Sequence, residues 1–234
     1  MRRFPPGQTL LVDADDTLWE NNIFFERAIA AFIGLLNHHQ YTPAQVRHSL
    51  NAVERETILS HGYGVTSFNR SLLKCFERLS PEPLTEHKRR QIEGFSRTIA
   101  EQEIVLLPGV AETLVELASR HHLILMTKGN HAEQAGKFAR SGLAPHFSAV
   151  EIVPEKDHAT YRTVVERHQL APQSTWMIGN SPRSDINPAL AAGLNAVFLV
   201  HTSTWALEHE AVDPAPEGRH LLQIASFAEL GNFF

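Results

Sequence analysis

The sequence predicts an α/β protein built on a doubly wound, Rossmann-like parallel sheet, with an all-helical segment inserted into it. Three observations lead there. Short apolar runs that stop abruptly at polar residues recur along the chain. Segments of helical period separate the later runs. Roughly ninety residues of helical text divide the first run from the second, far more than an ordinary connection needs.

The runs are residues 9–12, 122–126, 149–153, 175–178 and 196–200, each the pattern of a strand covered on both faces. Between them, residues 110–121, 131–141, 161–169 and 182–192 read as helices, and strand alternating with helix makes βαβ units of a parallel sheet. Ser141-Gly142 and Ala192-Gly193 stop two of these helices. Ser181-Pro182 starts the last, with Ser as N-cap and Pro at the first helical position. In the long interval, residues 24–37 carry an apolar stripe (Phe25, Ile29, Phe32, Ile33, Leu36), and Thr42-Pro43 opens a second helix running to residue 59. Residues 71–79 and 85–100 supply two more. The expected organisation is an α/β core of residues 1–20 and 106–234, with residues 21–105 as the helical insertion. The two chain crossings, near Asn21 and at Leu106 to Gly109, are expected to make a hinge.

A composition of 43% hydrophobic and 20% charged residues is that of a globular protein with a real core, which excludes disorder and fibres. The net charge of -5, with both signs mixed, offers no basic face to a nucleic-acid polymer. The single cysteine, Cys75, can form neither an internal disulfide nor a zinc knuckle and reads as a buried hydrophobe. The charged start at Arg2-Arg3 is broken by Pro5, Pro6 and Gly7, unlike a secretion signal, and no stretch nears the roughly 18 apolar residues of a membrane span. A cytoplasmic protein without a membrane partner, monomer or homodimer, is the expectation. The histidine pairs at 38–39 and 121–122 lack metal-ligand spacing.

In open parallel sheets ligands bind beyond the carboxyl ends of the strands. The residues there are Asp13-Ala14-Asp15-Asp16-Thr17, then Thr127-Lys128-Gly129-Asn130, then Lys156, then Gly179-Asn180-Ser181 with Asp185 beyond. Singly, each has a bland explanation: a turn cap, a strand end, a solvated helix start. Jointly they bring carboxylates, a hydroxyl, an ammonium and an amide to one rim, and paired acids at buried strand ends need a cation or a proton to compensate them.

This set resembles the haloacid dehalogenase-like (HAD) hydrolase superfamily in its phosphatase branch, and the helical insertion looks like that family's first-type cap. The first motif, DxDxT after an apolar strand, is matched by Asp13-Ala14-Asp15-Asp16-Thr17; the second, a strand ending in Thr or Ser, by Leu125-Met126-Thr127; the third, a lysine ahead of a helix, by Lys156; the fourth by Gly179-Asn180-Ser181-Pro182-Arg183-Ser184-Asp185. The resemblance implies a Mg²⁺-dependent phosphatase that hydrolyses a small phosphomonoester through an aspartyl-phosphate. On it, Asp13 is nucleophile and metal ligand. Asp15 is the proton donor and acceptor, its pKa held above that of its metal-bound neighbour, and it meets the metal through its backbone carbonyl with the side chain left free. Thr127, Lys156 and the backbone N–H groups at Lys128 and Gly129 hold the phosphate. Asp185 and Asn180 complete the metal site, all hard oxygens that suit Mg²⁺. Asn180 departs from the carboxylate that many relatives carry and removes one negative charge; Asp16 is expected to be structural.

The implied substrate is a sugar phosphate, a nucleotide monophosphate or phosphoglycolate, with His61, Tyr63, Phe68 and Arg70 as candidate selectors. The competing readings are a phosphomutase using the same intermediate, a receiver-like phosphoswitch and a non-catalytic phosphate-binding relative. A dehalogenase is disfavoured by the second acid, Asp15.

Overall fold

The structure is a computed structural model that describes residues 3–36 and 40–234. Asn37, where the sequence ends the first insertion helix, and the histidine pair at 38–39 lie outside the described residues. The chain divides into two compact units, one made of the stretch ending at Asn22 with Ile104–Phe234, the other of Ile23–Glu103.

The first unit is an α/β unit on a six-stranded parallel sheet of order β3-β2-β1-β4-β5-β6: β1 (Thr9–Val12), β2 (His122–Lys128), β3 (Ala149–Val153), β4 (Thr175–Gly179), β5 (Asn195–Leu199) and β6 (Leu221–Ile224). Strand alternation explains why the central strands are apolar: both their faces are covered. Leu10 and Val12 point to one face, with Leu123, Leu125, Trp176 and Ile178, under α5 (Val110–Ala118). Leu11 points to the other, with Ile124, Met126 and Met177, against Tyr161 and Val164 of α7 (His158–Arg167) and Ala189 of α8 (Asn187–Ala191). Each such fully buried side chain contributes roughly 1.5–3 kcal/mol of transfer free energy, so both faces of β1 hold it rigidly between β2 and β4.

The sixth strand was not expected. Leu221–Ile224 is a four-residue edge strand, half-exposed and carrying Gln223, so it lacks the apolar run that marks its neighbours. The last predicted helix also differs, because residues 182–192 divide into a π-helical turn, Pro182–Ile186, and the short α8. Pro188 in the first turn of α8 has no N–H to continue a ladder, and the wider turn lets Asp185 fold back onto the end of β4.

The second unit contains α1 (Asn22–Leu36) from its second residue, α2 (Pro43–His61), α3 (Val65–Leu79) and α4 (Glu86–Ala100). Thr42 begins α2 with a reciprocal capping box to Gln45, followed by Pro43. The helices bury Phe32, Leu50, Leu72, Phe76 and Ile92 against one another. Cys75 sits in that core, where burial raises its thiol to about 11 and keeps it protonated. Phe68 packs edge-on against Phe25 in the same core, which gives it a structural task. His61 closes α2, Tyr63 lies in the turn after it, and Arg70 lies in α3. Between residues 18 and 107 the outgoing and returning chains hydrogen-bond: Glu20 N–H donates to the Val105 carbonyl and Leu107 N–H to that of Leu18, both at 2.9 Å. No helix among the described residues is long and apolar enough to cross a membrane.

Candidate active site

β1 delivers Asp13 one residue past its last sheet position, where its N–H still donates to the Ile178 carbonyl of β4 at 2.9 Å. The turn between β3 and α7 delivers Lys156, and the π-helical turn after β4 delivers Asp185. These three meet. Lys156 Nζ donates to Asp13 Oδ1 at 2.5 Å and to Asp185 Oδ1 at 2.7 Å, with side-chain exposures of 1% for Lys156, 10% for Asp13 and 1% for Asp185. Thr17 Oγ1 donates to the other oxygen, Asp13 Oδ2, at 3.0 Å and lies 3.4 Å from Asn180 Oδ1, which brings the amide of residue 180 into the same cluster.

The glycine ahead of Asn180 has a steric reason. A Cβ on Gly179 would stand 2.2 Å from Asp185 Oδ2, so only glycine lets that carboxylate lie against the strand end and accept the Ser181 N–H at 3.0 Å.

Two buried carboxylates share one ammonium. Burial, with Asp185 beside it, raises Asp13 to about 7 although Lys156 pulls it down. Burial also opposes the charge on Lys156, but Asp13 and Asp185 outweigh it and hold the ammonium above its usual pKa. The cluster is therefore short of positive charge, and the oxygens around it (Asp13, Asp185, Asn180) are hard donors; the residues fit a hard divalent cation.

Asp15 behaves differently from the sequence expectation. Its side chain is not free: Trp19 Nε1 donates to it at 2.7 Å, Gln134 Nε2 at 2.9 Å, and Lys137 Nζ at 2.8 and 3.0 Å. Burial would raise its pKa, but the Lys137 ammonium and these hydrogen bonds hold it below the usual carboxylate range. Gln134 and Lys137 come from α6 (His131–Ser141), three residues apart and hence on one face. That spacing was present in the sequence and could have been found.

Thr127 is buried near the end of β2, two positions past Leu125, the partner of Val12. Gly129 corrects the sequence reading: its N–H donates to the Val153 carbonyl at 3.0 Å, because the β2–β3 pairing continues through it, so that donor is engaged. Its lack of a side chain serves Gln134 instead, whose Nε2 would lie 3.1 Å from an added Cβ. The Lys128 ammonium turns to Glu208 Oε1 at 2.6 Å and Ser184 Oγ at 2.7 Å. Glu208, which no sequence signal marked, is buried; burial opposes its charge, but Lys128, Ser181 and Ser184 hold its pKa low.

Asp16 accepts the N–H groups of Asn21 and Asn22 at 2.9 and 3.0 Å and so caps the start of α1, while burial raises its carboxyl to about 7. Among the described residues Asp16, Glu20 and His201 form a group whose ligand atoms lie within 4.8 Å of one another.

The sequence model of the haloacid dehalogenase-like hydrolases matches residues 8–193. The chain belongs to that family. A phosphoserine phosphatase from Thermus thermophilus is 31% identical to this HAD-like hydrolase over 120 residues, 49% of this chain and 47% of the relative. The match thus spans about half the length of that curated relative. A haloacid dehalogenase-like family hydrolase from Xanthomonas campestris superposes with a TM-score of 0.80 at 25% identity, covering 97% of this chain and 93% of the other. An L-2-haloacid dehalogenase from Xanthobacter autotrophicus shares the fold at a TM-score of 0.64 and 14% identity, covering 97% of each chain. As a HAD-like hydrolase, the chain sits among both phosphatases and dehalogenases.

Proposed function

We propose that this hydrolase is a Mg²⁺-dependent phosphatase that cleaves a small phosphomonoester through an aspartyl-phosphate on Asp13. The observation that carries the reading is the buried Asp13–Lys156–Asp185 cluster, in which one ammonium serves two carboxylates. A carboxylate can approach a phosphate dianion only where positive charge cancels the repulsion. Lys156 supplies part of it. Asp13, Asp185, Asn180 and the Asp15 carbonyl would hold Mg²⁺, which would supply the remaining positive charge.

Asp13 attacks phosphorus, an Asp13–phosphorus bond forms, and the ester bond to the alcohol breaks. The departing oxygen takes a proton from Asp15; water then attacks phosphorus, returns its proton to Asp15 and releases phosphate with Asp13 restored. Lys137 keeps Asp15 ionised in the free protein; the dianion, once bound beside it, raises its pKa, so that Asp15 takes up from solvent the proton it then gives to the departing oxygen. Thr127 donates to a phosphoryl oxygen. Phosphoserine, the substrate in the name of the Thermus relative, joins sugar phosphates, nucleotide monophosphates and phosphoglycolate as the substrates to try. Dehalogenation fits less well, since a leaving halide needs no proton from Asp15.

The test is phosphate release from a panel of phosphomonoesters with Mg²⁺, wild type beside Asp13→Asn, with halide release from a 2-haloacid as a parallel arm. Repeated turnover by the wild type alone supports the phosphatase. Isomerised sugar phosphate would mark a mutase, a single labelling without turnover a phosphoswitch, halide a dehalogenase, and no reaction a binding protein.

A further inference from the structure

Asparagine at position 180 creates a difficulty that a carboxylate would not. A carboxylate presents oxygen on both arms, whereas an amide presents oxygen on one and NH₂ on the other, and an NH₂ turned toward a cation repels it. Something must fix which arm faces Asp13 and Asp185.

The segment after β5 contains that anchor. Thr204 is buried, and its Oγ1 donates its one proton to the His201 carbonyl at 3.1 Å. Only the lone pairs of that hydroxyl remain for Asn180, whose Nδ2 donates to it at 3.1 Å. With the nitrogen arm held there, Oδ1 points to the other side, toward Thr17 Oγ1 and the Asp13 carboxylate that this hydroxyl bonds. Four residues further on, Glu208 receives Ser181 Oγ at 2.5 Å, together with Ser184 Oγ, and so holds the same loop from its other flank.

We propose that Thr204 is a positioning residue for the metal: by accepting from Asn180 Nδ2, its hydroxyl commits residue 180 to offer an oxygen to the cation. The inference rests on the Mg²⁺-dependent reading above. Partners that orient a metal ligand from behind commonly govern metal affinity by about 10- to 100-fold.

Isothermal titration of Mg²⁺ into substrate-free protein tests it, with folding checked by circular dichroism. Thr204→Val should weaken Mg²⁺ binding about tenfold or more, while Thr204→Ser, which keeps the hydroxyl, stays within about threefold of wild type. In an Asn180→Asp background both arms are oxygens, so adding Thr204→Val should change affinity less than about threefold. If Thr204→Val folds poorly, Thr204→Ala carries the same comparison without a methyl against the amide. Wild-type affinity in the hydroxyl-less variants, or an equal loss in both backgrounds, overturns the role of Thr204 and leaves the phosphatase reading standing. A wild type that binds no Mg²⁺ while still releasing phosphate overturns the metal assignment and this inference with it.

Discussion

Lys156→Met removes the single cation that two buried carboxylates share. Its Nζ stands 2.5 Å from Asp13 Oδ1 and 2.7 Å from Asp185 Oδ1, and the lysine side chain is 1% exposed. Deleting one partner of a buried pair costs about 3–5 kcal/mol, and here two charges are stranded together. In a unit of this size each kcal/mol lowers Tm by about 2–4 °C, so the expected drop is roughly 6–20 °C. The effect depends on pH. Asp13 folded has a pKa of about 7 against a reference of 3.8, so the folded chain keeps a proton that the unfolded chain releases, and stability is lost as pH rises through that window. Without Lys156 the folded value climbs further, so the deficit should be small at pH 5 and full at pH 8. All 3 tryptophans (Trp19, Trp176, Trp205) belong to the α/β unit, so a fluorescence melt in chelator reports that unit alone. A drop below about 2 °C at pH 8, or equal drops at pH 5 and pH 8, would refute the shared-ammonium account.

Three further outcomes follow from other contacts. Lys137→Met takes away the ammonium that holds Asp15 low, so the limb of the pH–rate profile set by Asp15 should move to higher pH; a profile with neither limb moved separates Asp15 from the proton transfer. Gly179→Ala places a methyl where Asp185 Oδ2 now lies and should abolish Mg²⁺ binding measured by calorimetry, whereas retained affinity would remove Asp185 from the metal site. In the helical unit, burial raises Glu54 to about 7 and its Oε2 has no hydrogen-bond partner among the described residues, so stability there falls as pH rises from 4.5 through 7. Glu54→Gln should flatten that dependence and gain about 1–3 kcal/mol at pH 8, read by hydrogen exchange along α2.

Legibility in the sequence followed the physics of each element. The four central runs were readable because strands covered on both faces must be apolar throughout; at the edges, Ala149–Val153 kept enough apolar residues around Glu151 to be read, whereas Leu221–Ile224, half-exposed and carrying Gln223, did not. Asp13, Lys156, Asn180 and Asp185 were readable because they end strands or follow them closely, and the fold brings strand ends together. Of the environment of Asp15 only the one-face spacing of Gln134 and Lys137 was legible; that this face turns to Asp15 depends on how α6 packs. Gly129 read as a donor because a turn after a strand usually frees its N–H; here the ladder runs one residue longer. Thr204 and Glu208 act from an irregular segment without period or motif, and only coordinates reveal what they touch.

The most direct measurement of the central claim is chemical trapping of the intermediate. Borohydride added during turnover of a phosphomonoester reduces an acyl phosphate to an alcohol, so peptide mass spectrometry should find homoserine in place of aspartate at residue 13, and only when substrate and Mg²⁺ are both present. Steady phosphate release with residue 13 unreduced, or with the reduced aspartate at another position, would contradict Asp13 as the nucleophile.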